Sequence, residues 1–176
     1  GAPGSGITVG RNDGAITVDT GAAAFCFRPS AILLEEVTLD GGPPLRLTEP
    51  LLQILNHEGF PSRFTGILPP DRLEVIESGP LRVRVLAEGA YPDVEGAAGL
   101  RYACRFDLCR HSTDVRLQHT VTHATPDPAL VRALAVRLAV PGLETFDLDG
   151  CRNSFEGRQA WLVQHTHERF YRWRYA

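Results

Sequence analysis

Leu100-Arg101-Tyr102-Ala103-Cys104-Arg105-Phe106-Asp107-Leu108 alternates without a break, with Leu100, Tyr102, Cys104, Phe106 and Leu108 on one parity and Arg101, Arg105 and Asp107 on the other. Successive side chains of a strand point to opposite faces, so this period of two predicts a strand with one buried and one wet face. The pattern repeats on both flanks. Downstream, Arg110-His111-Ser112 turns the chain, after which Val115, Leu117, His119, Val121 and His123 share one face and Arg116, Gln118, Thr120 and Thr122 the other. Upstream, Ser78-Gly79-Pro80 is a turn, Leu81, Val83, Val85 and Ala87 form an apolar face, and Arg82, Arg84 and Glu88 lie opposite. Tyr91 to Gly99 reads as the loop between two of these strands. Long alternating runs joined by turn residues are the pattern of antiparallel sheets.

Further out the same reading continues with less regularity. Ile16-Thr17-Val18 leads into a turn at Asp19-Thr20-Gly21, then Ala23, Phe25 and Phe27 alternate until Pro29. Ala31 to Leu39 reads as a third strand, ended by Asp40-Gly41-Gly42. The proline-rich stretch from Pro43 to Pro70 reads as a long connection with one apolar piece, Leu51 to Leu55, and Leu73 and Val75 resume the alternation. After Pro126 and Pro128, Leu134, Val136, Leu138 and Val140 are expected to form the next inward face. Trp161 to Gln164 and Phe170 to Tyr175 are expected as closing strands, and a short helix finds room only around residues 128–133, where nothing demands it. The predicted fold class is all-β, an antiparallel β-sandwich of supersandwich type with long strands. Residues 1–10 read as a linker or cut N-terminal segment, and residues 11–176 as a sandwich domain truncated at its C-terminus.

Composition narrows the function classes. Apolar residues make up 43% and charged residues 22% of the chain, a balance that supports an ordinary packed core. The net charge of −3 lacks the basic excess of a nucleic-acid binder. No apolar run approaches the length of a membrane helix, and Gly1–Gly10 lacks the basic start and apolar centre of a signal peptide. Every basic residue is arginine, with no lysine and no methionine, which points to a GC-rich genome rather than to a function.

Residues 78 to 140 carry a resemblance. Ser78-Gly79-Pro80-Leu81-Arg82-Val83-Arg84-Val85, then Ala87-Glu88-Gly89, Leu100-Arg101-Tyr102 through Phe106-Asp107-Leu108, Thr113-Asp114-Val115-Arg116-Leu117-Gln118-His119-Thr120 and Leu138-Ala139-Val140-Pro141 together resemble the central β-sandwich of rhamnogalacturonan exolyase-like proteins, a polysaccharide lyase family. Ile16-Thr17-Val18-Asp19-Thr20-Gly21, with Leu33-Leu34 and Asp40-Gly41 behind it, fits the start of the same domain, so the similarity spans most of residues 7–165. The resemblance implies a carbohydrate context, β-elimination on an acidic pectic backbone, and a longer parent with a helical, toroid-like catalytic part. It transfers no catalytic motif onto these positions.

A uronate lyase needs donors or a cation to offset the substrate carboxylate, a base to take the ring proton and an acid for the leaving oxygen. His119 and His123, on one predicted face with Val121 between them, are the candidate catalytic residues. The same face carries Val115, Leu117 and Val121, so each imidazole equally fits a buried position bonded to a neighbouring group. Arg169, Tyr171, Arg172 and Trp173, in a run alternating arginine with aromatic residues, are the candidate substrate-binding residues, since a ring stacks on an aromatic plate and a guanidinium forks onto a carboxylate. Core aromatics with arginine stems packed along them account for the same run. His165-Thr166-His167 lacks a third ligand, so no metal and no cofactor are implied. Cys26, Cys104, Cys109 and Cys151 lack zinc spacing and read as small buried residues, with Cys104 and Cys109 on opposite faces of one strand. The partners expected are an acidic polysaccharide or oligosaccharide and the rest of a larger chain, with no nucleic acid and no membrane. Two function classes follow: a non-catalytic or substrate-positioning part of a lyase-like enzyme, or a stand-alone carbohydrate-binding or protein-interaction sandwich.

Overall fold

The computed structural model describes residues 6–56, 64–92, 98–123, 131–137, 145–148, 151–154, 159–166 and 169–175, with side chains within 6–54, 65–92, 99–123 and 134–137. The described residues contain strands and turns and no helix. All sheets are antiparallel, and the chain divides into two compact units, Gly1–Ala139 and Val140–Ala176.

Among the described residues the first unit holds three sheets. One orders β1 (Thr8–Asn12), β2 (Ala15–Asp19), β3 (Ala23–Phe27), β4 (Leu34–Leu39) and β5 (Leu45–Arg46) as a meander. Another orders β11 (Val115–Thr122), β10 (Ala98–Cys109), β9 (Arg82–Pro92) and β8 (Arg72–Ser78). A smaller one places β6 (Leu52–Asn56) between β12 (Val131–Val136) and β7 (Phe64–Gly66). The second unit holds two hairpins, β13 (Thr145–Leu148) with β14 (Cys151–Ser154), and β15 (Gln159–Thr166) with β16 (Arg169–Tyr175).

The alternation along β9 and β10 does what it predicts. Val83, Val85, Ala87, Tyr102, Cys104, Phe106 and Leu108 are buried and join Ile16, Val18, Phe25 and Phe27 of the first sheet in one hydrophobic core. The ring centroids of Phe27 and Phe106 are 4.9 Å apart, so the two inner faces touch across the sandwich. At one end the layers are also tied by hydrogen bonds. The amide of His111 donates to the Thr20 carbonyl at 2.7 Å, and Thr20 Oγ1 donates to the Ser112 carbonyl at 2.8 Å. Buried Thr20 thereby satisfies its hydroxyl while joining the β2–β3 turn to the β10–β11 turn.

Several sequence expectations need correction. β1 begins at Thr8, inside the segment read as a linker, because residues 8–12 pair in register with Ala15–Asp19. The third strand starts at Leu34 rather than Ala31. Leu33 is fully buried in a left-handed conformation (φ 62°), and its carbonyl accepts from the Arg28 amide at 2.9 Å, so a turn occupies residues 30–33. The proline-rich connection contains β5, β6 and β7. Leu51, Leu52, Gln53 and Ile54 are all buried, and a central strand covered on both sides reads as a continuous apolar run without alternation. Tyr91 lies within β9, not in a loop. Leu81 is 66% exposed because it sits in the turn before β9 begins. Leu134 and Val136, expected to face inward, are 48% and 50% exposed; β12 is an edge strand with β6 as its sheet neighbour. Leu138 and Val140 lie outside the described residues.

Candidate functional site

His119 occupies the middle of β11, opposite Cys104 of β10, which is in turn opposite Ala87 of β9. Strand parity turns its half-buried side chain toward the core. There its Nε2 lies 3.1 Å from the Tyr91 hydroxyl, within hydrogen-bonding distance, with the two ring centroids 6.0 Å apart. Tyr91 meets Tyr102 edge-on at 5.8 Å. Tyr102 Oη donates to the Leu68 carbonyl at 3.4 Å, and the Leu68 amide donates to the Ala90 carbonyl at 2.9 Å. The tyrosine ring passes so close over Gly89 that a Cβ there would stand 2.7 Å from the Tyr102 hydroxyl. Glycine at 89 is what lets Tyr102 lie flat across β9 and reach Leu68.

Burial sets the protonation states in this cluster. It holds the His119 imidazole below its ordinary value, which favours the neutral ring. It pushes the Tyr91 and Tyr102 phenols up, and the Cys104 thiol up to about 12. The cluster is therefore an uncharged hydrogen-bonded group: a half-buried neutral imidazole with a fully buried phenol behind it. His123 follows the end of β11 and is exposed.

The other face of this sheet is a lattice of charges. Arg72 pairs with Glu74 and with Glu88, Arg82 with Glu77, and Arg101 with Asp71. Arg84 reaches both oxygens of Asp107, Nε to Oδ1 at 2.5 Å and Nη2 to Oδ2 at 3.2 Å, and this guanidinium holds the Asp107 carboxyl below the usual carboxylate range. Cross-strand pairs of this kind set register more than stability, because most of these groups are wet.

Of the expected substrate-binding residues, Arg169, Tyr171, Arg172 and Trp173 lie on β16. The β15–β16 register sets Trp173 opposite Trp161, Tyr171 opposite Val163, Arg172 opposite Leu162 and Arg169 opposite Thr166. Tyr91 is the member of the His119 cluster that sequence reasoning missed. Its signal was present, since position 91 continues the parity of Val83, Val85 and Ala87, but Gly89 and Pro92 on either side read as loop chemistry. Among the described residues no group of histidine, cysteine, aspartate and glutamate side chains could hold a metal, and His167 lies outside them. Cys104 is buried, Cys26 half-buried and Cys109 exposed, and all three are free thiols, so the expectation of buried cysteines fits Cys104 best. No helix of the described residues is long and apolar enough to cross a membrane.

A family model described as the PcRGLX-like protein central beta sandwich domain matches residues 7–147. No individual curated protein matches the sequence.

Proposed function

Because the chain belongs to the family of PcRGLX-like central beta sandwich domains, the sandwich of rhamnogalacturonan lyase-like proteins, we propose that it is the non-catalytic, substrate-positioning part of a carbohydrate-active enzyme that cleaves acidic pectic polysaccharide by β-elimination. The observation that carries the positioning role is the state of the inner face. His119, the ring best placed there to act as a base, has Nε2 engaged by a phenol that solvent does not reach. A base and an acid must both touch the sugar for elimination, and a tyrosine buried in the core is withdrawn from that task. Polar groups meet solvent on the outer face instead. The partners of the module are then an acidic polysaccharide or oligosaccharide and the remainder of a larger enzyme. Arg169, Tyr171, Arg172 and Trp173 add a guanidinium-and-aromatic strand suited to acidic sugar rings.

The test is direct. Purified chain, incubated with pectic and rhamnogalacturonan oligosaccharides, is expected to bind them while producing no ultraviolet-absorbing unsaturated uronate. Unsaturated product would overturn the non-catalytic assignment, and absence of binding would overturn positioning.

One observation favours a second reading, in which His119 supplies the base of the whole enzyme: the ring is half-exposed and held neutral, as a base must be. In the full-length parent, His119→Ala with folding retained would then lower the catalytic rate by about 10²–10⁴-fold. A change within a few-fold makes His119 structural.

A further inference from the structure

The charge lattice of the β11-β10-β9-β8 sheet is not uniform. Its acids Glu74, Glu77 and Glu88 sit on β8 and β9, each with an arginine partner. On β10 and β11 the charged residues are Arg101, Arg105, Arg116 and a lone acid, Asp107. Asp107 has both oxygens taken by Arg84. Arg116 lies directly opposite Asp107 in register and so shares that carboxylate with Arg84, which holds both of its oxygens. Among the described residues no close ion pair is made by Arg105 or Arg116, Arg116 acting on Asp107 only through its charge, whereas Arg72, Arg82, Arg84 and Arg101 on the same sheet each grip an acid. In a chain with a net charge of −3, β10 and β11 thus carry three arginines against one aspartate.

The neighbours of these two arginines are hydrogen-bonding groups rather than acids. Gln118 is opposite Arg105, with Thr120 and Thr122 following along β11, and Arg116, Gln118, Thr120 and Thr122 are all exposed. Arg105 and Arg116 are diagonal neighbours across the pair, a separation of roughly 7–8 Å between their strand positions. Leu86, on the same face and opposite Arg105, is buried, so the stem of Arg105 is rooted beside an apolar residue that limits its freedom. The strip is continuous, because β11 pairs with β10 without a bulge from Val115 to Thr122.

We propose that Arg105 and Arg116, with Gln118 and Thr120 beside them, form a binding strip for the carboxylates and hydroxyls of an extended uronate-bearing oligosaccharide. A planar guanidinium grips a carboxylate through two donors, and the amide and hydroxyl side chains along β11 match the alternating donors and acceptors of sugar rings. A row of side chains at every second residue of an unbroken strand suits a linear chain, and charge complementarity selects an acidic one. The inference rests on the positioning function above and assigns its carboxylate contacts to the outer face of β10 and β11.

The whole chain, titrated with galacturonate oligosaccharide in a calorimeter, tests it against Arg105→Gln, Arg116→Gln and the double variant, each verified as folded by its thermal transition. The double variant is expected to bind about tenfold more weakly or worse. Arg→Lys at both positions should recover part of the loss, since charge returns without the fork. Wild-type affinity should fall with added salt, and neutral galactan should bind more weakly than galacturonate. If galacturonate binds and the double variant binds equally well, the strip is refuted while the positioning function stands. If wild-type chain binds no uronate, both fall. If poly-glutamate of similar charge competes as well as the sugar, the surface is a general polyanion site and the saccharide assignment is wrong.

Discussion

At the scale of single residues, the His119–Tyr91 pair decides most. A phenol of a fully buried tyrosine needs a partner, and the imidazole is the group supplied. Tyr91→Phe leaves the ring packing against Tyr102 but strands Nε2 in a half-buried site, at an expected cost of about 1–2 kcal/mol in urea unfolding. The pH dependence follows from the direction of the His119 shift. Burial lowers its folded value, so the unfolded chain takes up the proton more readily. The stability conferred by the neutral ring is complete above the unfolded value, about 6.5, and is lost as pH falls below it. The groups around it, Tyr91, Tyr102 and Cys104, titrate far above this window. The urea midpoint of the wild type should therefore fall between about pH 7 and pH 5 more steeply than that of His119→Gln, which keeps a hydrogen-bonding group for Tyr91 but does not titrate. Equal slopes for the two proteins would show that the ring is solvated when folded.

At the scale of elements, the β9–β10 pair shows how one small residue admits one large one. Tyr102 is opposite Gly89 in register, and its ring occupies the space a Cβ would need. Gly89→Ala should destabilise the fold by about 1–3 kcal/mol through overpacking. Adding Tyr102→Leu should return part of that loss, because the clash is with the ring; an additive double variant would contradict the close approach as its cause. Elements like these were legible in the sequence because one face is buried and the other wet, which writes alternation directly into β9, β10 and β11. The elements that escaped had other physics. β6 is covered on both sides and shows a plain apolar run, and the turn at Leu33 uses a left-handed leucine that composition cannot announce. The face of β12 was misread because Leu134 and Val136 alternate as a buried strand would while lying on an edge. In the same way the histidines were visible as residues, but the partner of His119 was not, since Tyr91 is contributed by a strand two places away in the sheet.

At the scale of the molecule, the question is what the sandwich core depends on. Among the described residues the core runs from Ile16 to Leu108, with partly buried neighbours from Ile7 to Val121, all within the unit Gly1–Ala139. Its two main layers are joined by Phe27 against Phe106 and by the Thr20 hydrogen bonds to the β10–β11 turn. Phe106→Ala opens a cavity at the meeting point of the layers and should cost about 3–5 kcal/mol, a large part of the stability of a domain this size. Thr20→Val removes one buried hydroxyl and should cost about 1–3 kcal/mol, because the Ser112 carbonyl loses its donor and the Ala23 amide its side-chain acceptor. A chain ending at Ala139 keeps every one of these contacts. It is therefore expected to unfold in a single cooperative transition, and Phe106→Ala should lower its midpoint as much as it lowers that of the whole chain. A shortened chain without a cooperative transition would mean that the sandwich draws stability from residues after Ala139, and the core contacts named above would then be insufficient to hold the fold.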